Sequence, residues 1–417
     1  MPRARRGPFR GLPREVAILT AVSFTVALGF GIVAPDIPAF ARHFGVSTAA
    51  AASVVSAFAL IRIAGALPAG RLVDRFGEPA VMACGIAIVA VSSIVAGFSG
   101  SFAELIVLRG AGGFGSAMFG VSAQTLLLAS VPGADRGRAS GLYAGGFLVG
   151  GITGPALGGL IAAWSMRAPF IIYGVLLVVP GIIAAVALRG RPGRNPGTRP
   201  PASRILPEVA RALRNRAFRA AAAANLADGF AVIGVRSAIV PLFVRDVLHR
   251  SAIWTGIGFG VVAVLNAATL LPGGWLADRF GRRPVIVGGC LVSAGGLVML
   301  AVLPGPAGLA GYLGALAVVG AGSGLLDVGP AAMIGDILAG RGGTLVASYQ
   351  MSGDIGAVAG PVTAGYLVDV ASYQAAFGLA AGVLGLSAVL GLFAPETRWA
   401  HRPPVAALTA GDTRGQT

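Results

Sequence analysis

The sequence predicts an all-α membrane protein: twelve transmembrane helices arranged as two pseudo-symmetric six-helix bundles. Three observations predict it. The chain is 55% apolar and only 12% charged over 417 residues, with a mean hydropathy of +0.81. Soluble domains average about 25% charged residues, so this composition excludes a soluble enzyme, and it excludes intrinsic disorder, which needs low hydrophobicity. Apolar runs long enough to cross about 30 Å of hydrocarbon recur twelve times. Motifs of the first half reappear in the second at an almost constant offset.

The runs cover approximately 15–35, 47–72, 80–98, 102–131, 139–164, 169–188, 217–243, 254–277, 284–303, 309–337, 345–368 and 373–394. Residues 1–14 form a basic N-tail and 15–188 the first bundle. Residues 189–216 form a linker rich in Arg and Pro, 217–394 the second bundle and 395–417 a C-tail. With the N-terminus inside, the inner segments carry 25 Arg and the outer loops 4, with three more inside spans. That asymmetry predicts both termini on the cytoplasmic side of the plasma membrane. The basic start resembles a secretory signal, but the apolar run is too long for one, so it reads as an uncleaved first helix. The net charge of +16 needs no nucleic acid as partner, because the Arg residues are spread between membrane spans. Cys84 and Cys290, both in apolar runs, offer neither a disulfide framework nor a metal site.

The internal repeat is explicit. Gly70-Arg71-Leu72-Val73-Asp74-Arg75-Phe76-Gly77 after span 2 matches Gly274-Trp275-Leu276-Ala277-Asp278-Arg279-Phe280-Gly281 after span 8, 204 residues on. Gly154-Pro155 matches Gly360-Pro361 at an offset of 206, as Cys84 matches Cys290. Duplicated halves place a substrate site between them near the bilayer midplane.

On these residues the chain resembles the major facilitator superfamily over nearly its whole length. Gly274-x-Leu276-Ala277-Asp278-Arg279-x-Gly281-Arg282-Arg283 matches the family's loop signature in full, whereas the first copy departs from it at Glu78 and Pro79. Leu108-Arg109 with Gly113-Phe114-Gly115-Ser116-Ala117 is similar to the family's fourth-helix motif. Gly150, Gly154, Pro155, Gly158 and Gly159 resemble the antiporter motif, and Pro395-Glu396-Thr397 a familial ending. The resemblance implies the major facilitator fold, alternating access driven by an ion gradient, and the twelve-helix drug:proton antiporter branch. It also implies that spans 3, 6, 9 and 12 are peripheral.

Each motif also has a physical reading. Gly70 and Gly274 would let neighbouring helices approach closely, and Asp74 and Asp278 would cap a helix or pair with Arg. With Arg75, Gly77, Arg279, Gly281, Arg282 and Arg283, these residues form a candidate conformational latch. The Gly150, Gly154, Gly158 ladder, with Pro155, Gly159, Gly360 and Pro361, reads as helix packing. Ionisable groups within spans cost on the order of 3 kcal/mol each at a helix centre, so each needs a reason. Arg62, Arg109, Asp228, Arg236, Asp327 and Asp354 are the candidates for proton coupling and cavity lining. Asp354 lies about 15 Å from the inner end of its span. Asp228 and Arg236, about 12 Å apart along an ideal helix and some 80° off in angle, should not pair directly. Asn225, Gln350, Asn266 and Gln124 are candidate substrate contacts. Phe24, Phe30, Tyr143, Phe147 and Phe230 could wall an apolar pocket. Asp36, between Pro35 and Pro38, reads as a loop residue at the outer mouth.

No catalytic constellation is legible. His43, His249 and His401 lie outside the spans, and no Walker loop occurs, so neither an enzyme nor a cofactor is expected. The expectation is a monomeric secondary transporter in the lipid bilayer, exporting small amphipathic molecules in exchange for protons. Two alternatives stay open: a proton-coupled importer of a sugar, organic acid or other nutrient, and a non-transporting membrane sensor.

Overall fold

A computed structural model describes residues 11–131, 136–187, 205–302, 304–338 and 343–397. The first ten residues, linker residues 188–204 and the tail from 398, with His401, lie outside them. Among the described residues the chain is helical throughout. The spanning helices are α1 (Arg14–Val33), α2 (Thr48–Phe76), α3 (Glu78–Gly97), α4 (Phe102–Ser130), α5 (Arg136–Trp164) and α6 (Ala168–Val186). The second set is α7 (Arg216–Asp246), α8 (Ala252–Phe280), α9 (Arg282–Val302), α10 (Gly308–Ile337), α11 (Gly343–Val370) and α12 (Tyr373–Leu392). Apart from α11, which has the length at 28 residues, each is long and apolar enough to cross a bilayer.

Helix ends follow local chemistry. Ser47, Ser101 and Ser372 accept from the backbone N–H three residues on, capping α2, α4 and α12. Gly77 and Gly281 end α2 and α8 at φ 81° and 113°, a region that favours Gly. The repeat extends to the turn at the opposite end. Gly45 has φ 75°, and His249, 204 residues on, has φ 49°.

Two main apolar cores form, one built from α1–α6 and the other chiefly from α7–α12. Within each half, glycines bring two helices to backbone contact. A Cβ on Gly154 would lie 2.5 Å from the Leu28 carbonyl oxygen and 2.7 Å from Gly31 Cα, so α5 lies directly on α1. Gly356 and Gly360 seat α11 on α7 in the same way. Gly159 belongs to a different contact: its Cβ would meet Gly256 N at 2.7 Å, on α8 of the other half.

The halves meet through α2 with α11 and α5 with α8. Asp369 on α11 accepts from the backbone N–H groups of Thr48 and Ala49, both at 2.8 Å, and so caps α2 of the other half. Ser56 donates to the Val358 carbonyl at 2.6 Å, one step nearer the middle. These junctions run from the Gly45/His249 end to mid-span. Towards the Gly77/Gly281 end, Ala66–Pro68 of α2 and Leu271–Pro272 of α8 are exposed. Asp369→Ala should weaken the closed end by about 1 kcal/mol, as loss of a cap does. Faster alkylation of a cysteine placed at Ala49 would show it.

Two segments outside the bundles are ordered, and two sequence expectations need correction. Part of the linker, Ile205–Arg214, is a helix. Pro395–Thr397 is docked rather than tail: Glu396 accepts from the backbone N–H groups of Arg282 and Arg283 at 2.9 and 3.1 Å, capping α9. Gly274 makes no close approach, since a Cβ there would meet open space. Asp36 is no exposed loop residue: it ends a 3-10 turn (Ala34–Asp36) and is 6% exposed, because the chain continues as helix Ile37–Arg42 packed between the halves.

Candidate functional site: an inter-bundle ion pair and a carboxylate cluster

At mid-span, Arg62 of α2 donates to the Asp354 carboxylate of α11, 292 residues away. The pair joins the two halves where their packed end gives way to the more exposed one. Both side chains are only partly buried, at 39% and 31% exposed. Each partner is costly alone in hydrocarbon, and pairing lowers that cost.

Within the second half a polar cluster spans α7, α8 and α10. Asn266 donates from Nδ2 to Asp327 at 2.7 Å and to Ser323 Oγ at 3.0 Å. Asn266 stands 204 residues after Arg62, so the repeat places an amide on α8 where α2 has a guanidinium. Asp228, Asp327 and Arg236 lie within one another's electrostatic reach. Asp327 is exposed, and Asp228 and Arg236 are partly accessible. Asp228 Oδ1, Arg236 Nε and Asn266 Oδ1 have no hydrogen-bond partner among the described residues. Buried polar atoms are nearly always satisfied, so three orphans together mark a place able to receive a ligand, a proton or water.

Backbone geometry brings this about. Gly229–Val235 is a π-helical stretch inside α7, between Asp228 and Arg236. A π-turn shifts the angular register of every residue beyond it in the helix, so arithmetic for an ideal α-helix does not apply across it. The two residues form no direct ion pair, as expected from the sequence. Both nonetheless belong to the cluster, and the Arg236 guanidinium stands 5.2 Å from the Phe259 ring centroid.

The other candidates separate by environment. Arg109 is 2% exposed, its guanidinium 4.6 Å over the Phe58 ring and its Nε without a partner among the described residues. Asn225 spends Nδ2 within its own half, on the Tyr349 carbonyl at 2.7 Å and Ser352 Oγ at 3.3 Å, and so ties α7 to α11. Gln350 and Gln124 are exposed. Among the aromatics, Phe230 is buried behind Gly360, while Phe147 is 46% exposed.

At the Gly77/Gly281 end, Arg282 binds Asp278 at 2.9 Å and Asp336 at 3.0 Å, and donates to the Ala277 carbonyl at 2.6 Å. Thr397 donates to Asp336 at 2.9 Å. With Glu396 on the α9 N-terminus, these contacts all lie inside the second half. Arg279 lies over Trp275, and Arg75 over Phe76, at 5.0 and 5.2 Å. Sequence reasoning assigned no role to Glu396, Asp336 or Asp369. The only signal for Glu396 was its place in the Pro395-Glu396-Thr397 ending.

Comparison with known proteins agrees with this architecture. The family profile described as Major Facilitator Superfamily matches residues 19–266 and again 221–412. An uncharacterized MFS-type transporter of Methanocaldococcus jannaschii is 22% identical over 89% of this chain and 97% of its own length. Multidrug resistance protein 1 of Bacillus subtilis is 30% identical, over 43% of this chain and 46% of its own. The quinolone resistance protein NorA of Staphylococcus aureus is 26% identical, over 42% and 45%. The chain is thus aligned to less than half the length of these two resistance proteins. Among solved structures, a bacterial homolog of the human lysosomal transporter Spinster, inward-facing and occupied, superposes with a TM-score of 0.73. It is 15% identical, over 90% of this chain and 95% of that one. The unoccupied inward-facing form gives 0.70.

Proposed function

The chain belongs to the Major Facilitator Superfamily, a family of membrane transporters, and from that premise we propose that it is a proton-coupled exporter of small amphipathic molecules working by alternating access. The observation that carries the reading is the Arg62–Asp354 pair between the halves, beside an accessible cluster of Asp228, Asp327 and Arg236. The pair is broken or weakened when Asp354 takes a proton, and that frees the halves to move. Asp327 and Asp228, sharing one Arg, hold or release a proton according to what else occupies the space. The similarity to multidrug and quinolone resistance proteins supports export and an apolar substrate.

With both termini in the cytoplasm, as the Arg distribution indicates, the joined Gly45/His249 end is the outer one and the site opens inward. Energetics permit a useful gradient. One proton releases about 2.3 kcal/mol per 100 mV, and one pH unit adds about 1.4 kcal/mol. Together these sustain a ratio of several hundred-fold.

The test combines a susceptibility panel in an efflux-deficient host with proton flux from reconstituted protein. An exporter raises tolerance to at least one amphipathic cation or quinolone and moves protons when that compound is added. Asp327→Asn should lose the proton flux while compound binding persists. Proton flux in the opposite sense in oriented vesicles would identify an importer, and no flux with any compound would sink the transport reading.

A further inference from the structure

A second carboxyl, remote from the cluster, is held where the two halves close. Asp36 follows α1 at the Gly45/His249 end, is 6% exposed, and leaves Oδ2 without a hydrogen-bond partner among the described residues. It borders a cavity of about 240 Å³ whose wall comes from both halves: Ala162 of α5 and Met166 just after it, Pro241 and Arg245 of α7, and Thr255 of α8. We propose that Asp36 is a proton-binding site that ties closure of this end of the molecule to proton uptake, neutral while the halves are together and ionised once they part. The inference rests on the alternating-access reading but adds a site that reading does not use.

The surroundings make the ionised form expensive in the closed state. An unpaired carboxylate withheld from water is costly to keep ionised, and its protonated form far less so. Arg245 lines the same cavity but is exposed and forms no ion pair with Asp36. Its neighbour Asp246 accepts from the Tyr373 hydroxyl at 2.7 Å. Arg42, on the helix that follows Asp36, donates to the Val46 carbonyl at 3.0 Å. At the end of α5 and in the turn after it, the facing stretch Ala162–Met166 carries no charge, and Arg167 comes just beyond it. The facing stretch of α8, Ser251–Thr255, carries none. Arg236 lies nine residues deeper on α7 than Arg245. Asp369 is occupied by the α2 N-terminus. Among the described residues no cation therefore compensates Asp36 where it sits, and a proton is the partner that fits.

Linkage sets the sign. A group that binds its proton more tightly in the closed state makes closure more favourable as pH falls. Moving the halves apart returns Asp36 to water, where an Asp ionises near pH 3.9. Alkaline medium should therefore open this end. The proton would enter from the side on which this end faces, opposite the side that reaches the mid-span cluster.

The test uses the full chain in lipid nanodiscs, with Cys84→Ser and Cys290→Ser as background. Spin labels go on His43→Cys and Arg250→Cys, two exposed positions of opposite halves at this end. The distance distribution is followed from about pH 5 to about pH 9. In the parent, the long-distance population should grow at least tenfold relative to the short one across that range. Asp36→Asn should keep the short distance throughout. Asp36→Glu should titrate with a displaced midpoint, and it serves as the deciding variant if Asp36→Asn does not fold. A parent distribution independent of pH, or Asp36→Asn and Asp36→Glu following the parent's profile, would overturn the proposal. Flux is measured on the same sample. Absent flux with titrating labels refutes the transport reading alone, and flux with pH-insensitive labels refutes this site alone.

Discussion

Asp354→Asn should abolish concentrative transport while leaving a folded protein in the membrane. The carboxylate is the acceptor of the Arg62 guanidinium, and the pair closes α11 on α2 at mid-span. Asparagine keeps shape and hydrogen-bonding capacity but cannot take up and release a proton in this range. Arg62 loses its counter-charge, yet it is 39% exposed and can be solvated, so the fold should survive. The accumulation ratio is expected to fall from several hundred-fold to about one, a loss of roughly 3.7 kcal/mol of coupling. The Arg62→Gln and Asp354→Asn cycle separates brace from proton carrier. A brace predicts that the double variant regains what either single variant lost, with a coupling energy of about 0.5–3 kcal/mol. A proton carrier predicts that the double variant stays uncoupled, however stable it is. Wild-type accumulation by Asp354→Asn would refute the assignment.

Gly154→Val is expected to damage folding severely. Its Cβ alone would lie 2.5 Å from the Leu28 carbonyl oxygen and 2.9 Å from the Gly31 carbonyl carbon. Those are backbone atoms of α1, which cannot rotate aside as a flexible side chain can. Overpacking typically costs about 1–3 kcal/mol, and separating two long helices at a backbone-to-backbone contact should reach the top of that range or exceed it. The measurement is the yield of monodisperse protein in detergent and its thermal unfolding. Gly274→Ala is the matched control. Although Gly274 belongs to the loop signature, a Cβ there meets open space, and a change within about 0.5 kcal/mol is expected. Gly281→Ala should behave differently, because φ is 113° and the added carbon would run into Glu396.

Much of this architecture is legible in the sequence. Twelve apolar runs became helices with ends shifted by a few residues, eleven of them long and apolar enough to cross a bilayer among the described residues, because bilayer thickness imposes a length that sequence alone displays. The glycine ladder of α5 was readable for the same kind of reason, since residues four apart share a face. Gly159 was not separable from it: one residue further round the helix, it meets the other half instead. The six intramembrane ionisable residues were visible individually, because each stands out against an apolar background. Their grouping was not. Nothing in the chain shows that Arg62 meets Asp354, or that a π-helical stretch carries Arg236 into the field of Asp228 and Asp327. Asp36 was misread because a carboxylate between two prolines has the composition of a loop, whereas its burial depends on α5, α7 and α8 coming together over it.

Hydrophobic length and internal duplication are properties of the linear chain, and they suffice to specify spans and paired bundles. They act through one-dimensional rules, each residue against lipid or water. Which charges neutralise each other, which remain orphaned and which end of the molecule is shut are decided by contacts between residues up to about 320 positions apart. Those contacts depend on the register of one helix against another. A shift of a single turn, about 5.4 Å, would part Arg62 from Asp354 and leave every apolar run unchanged.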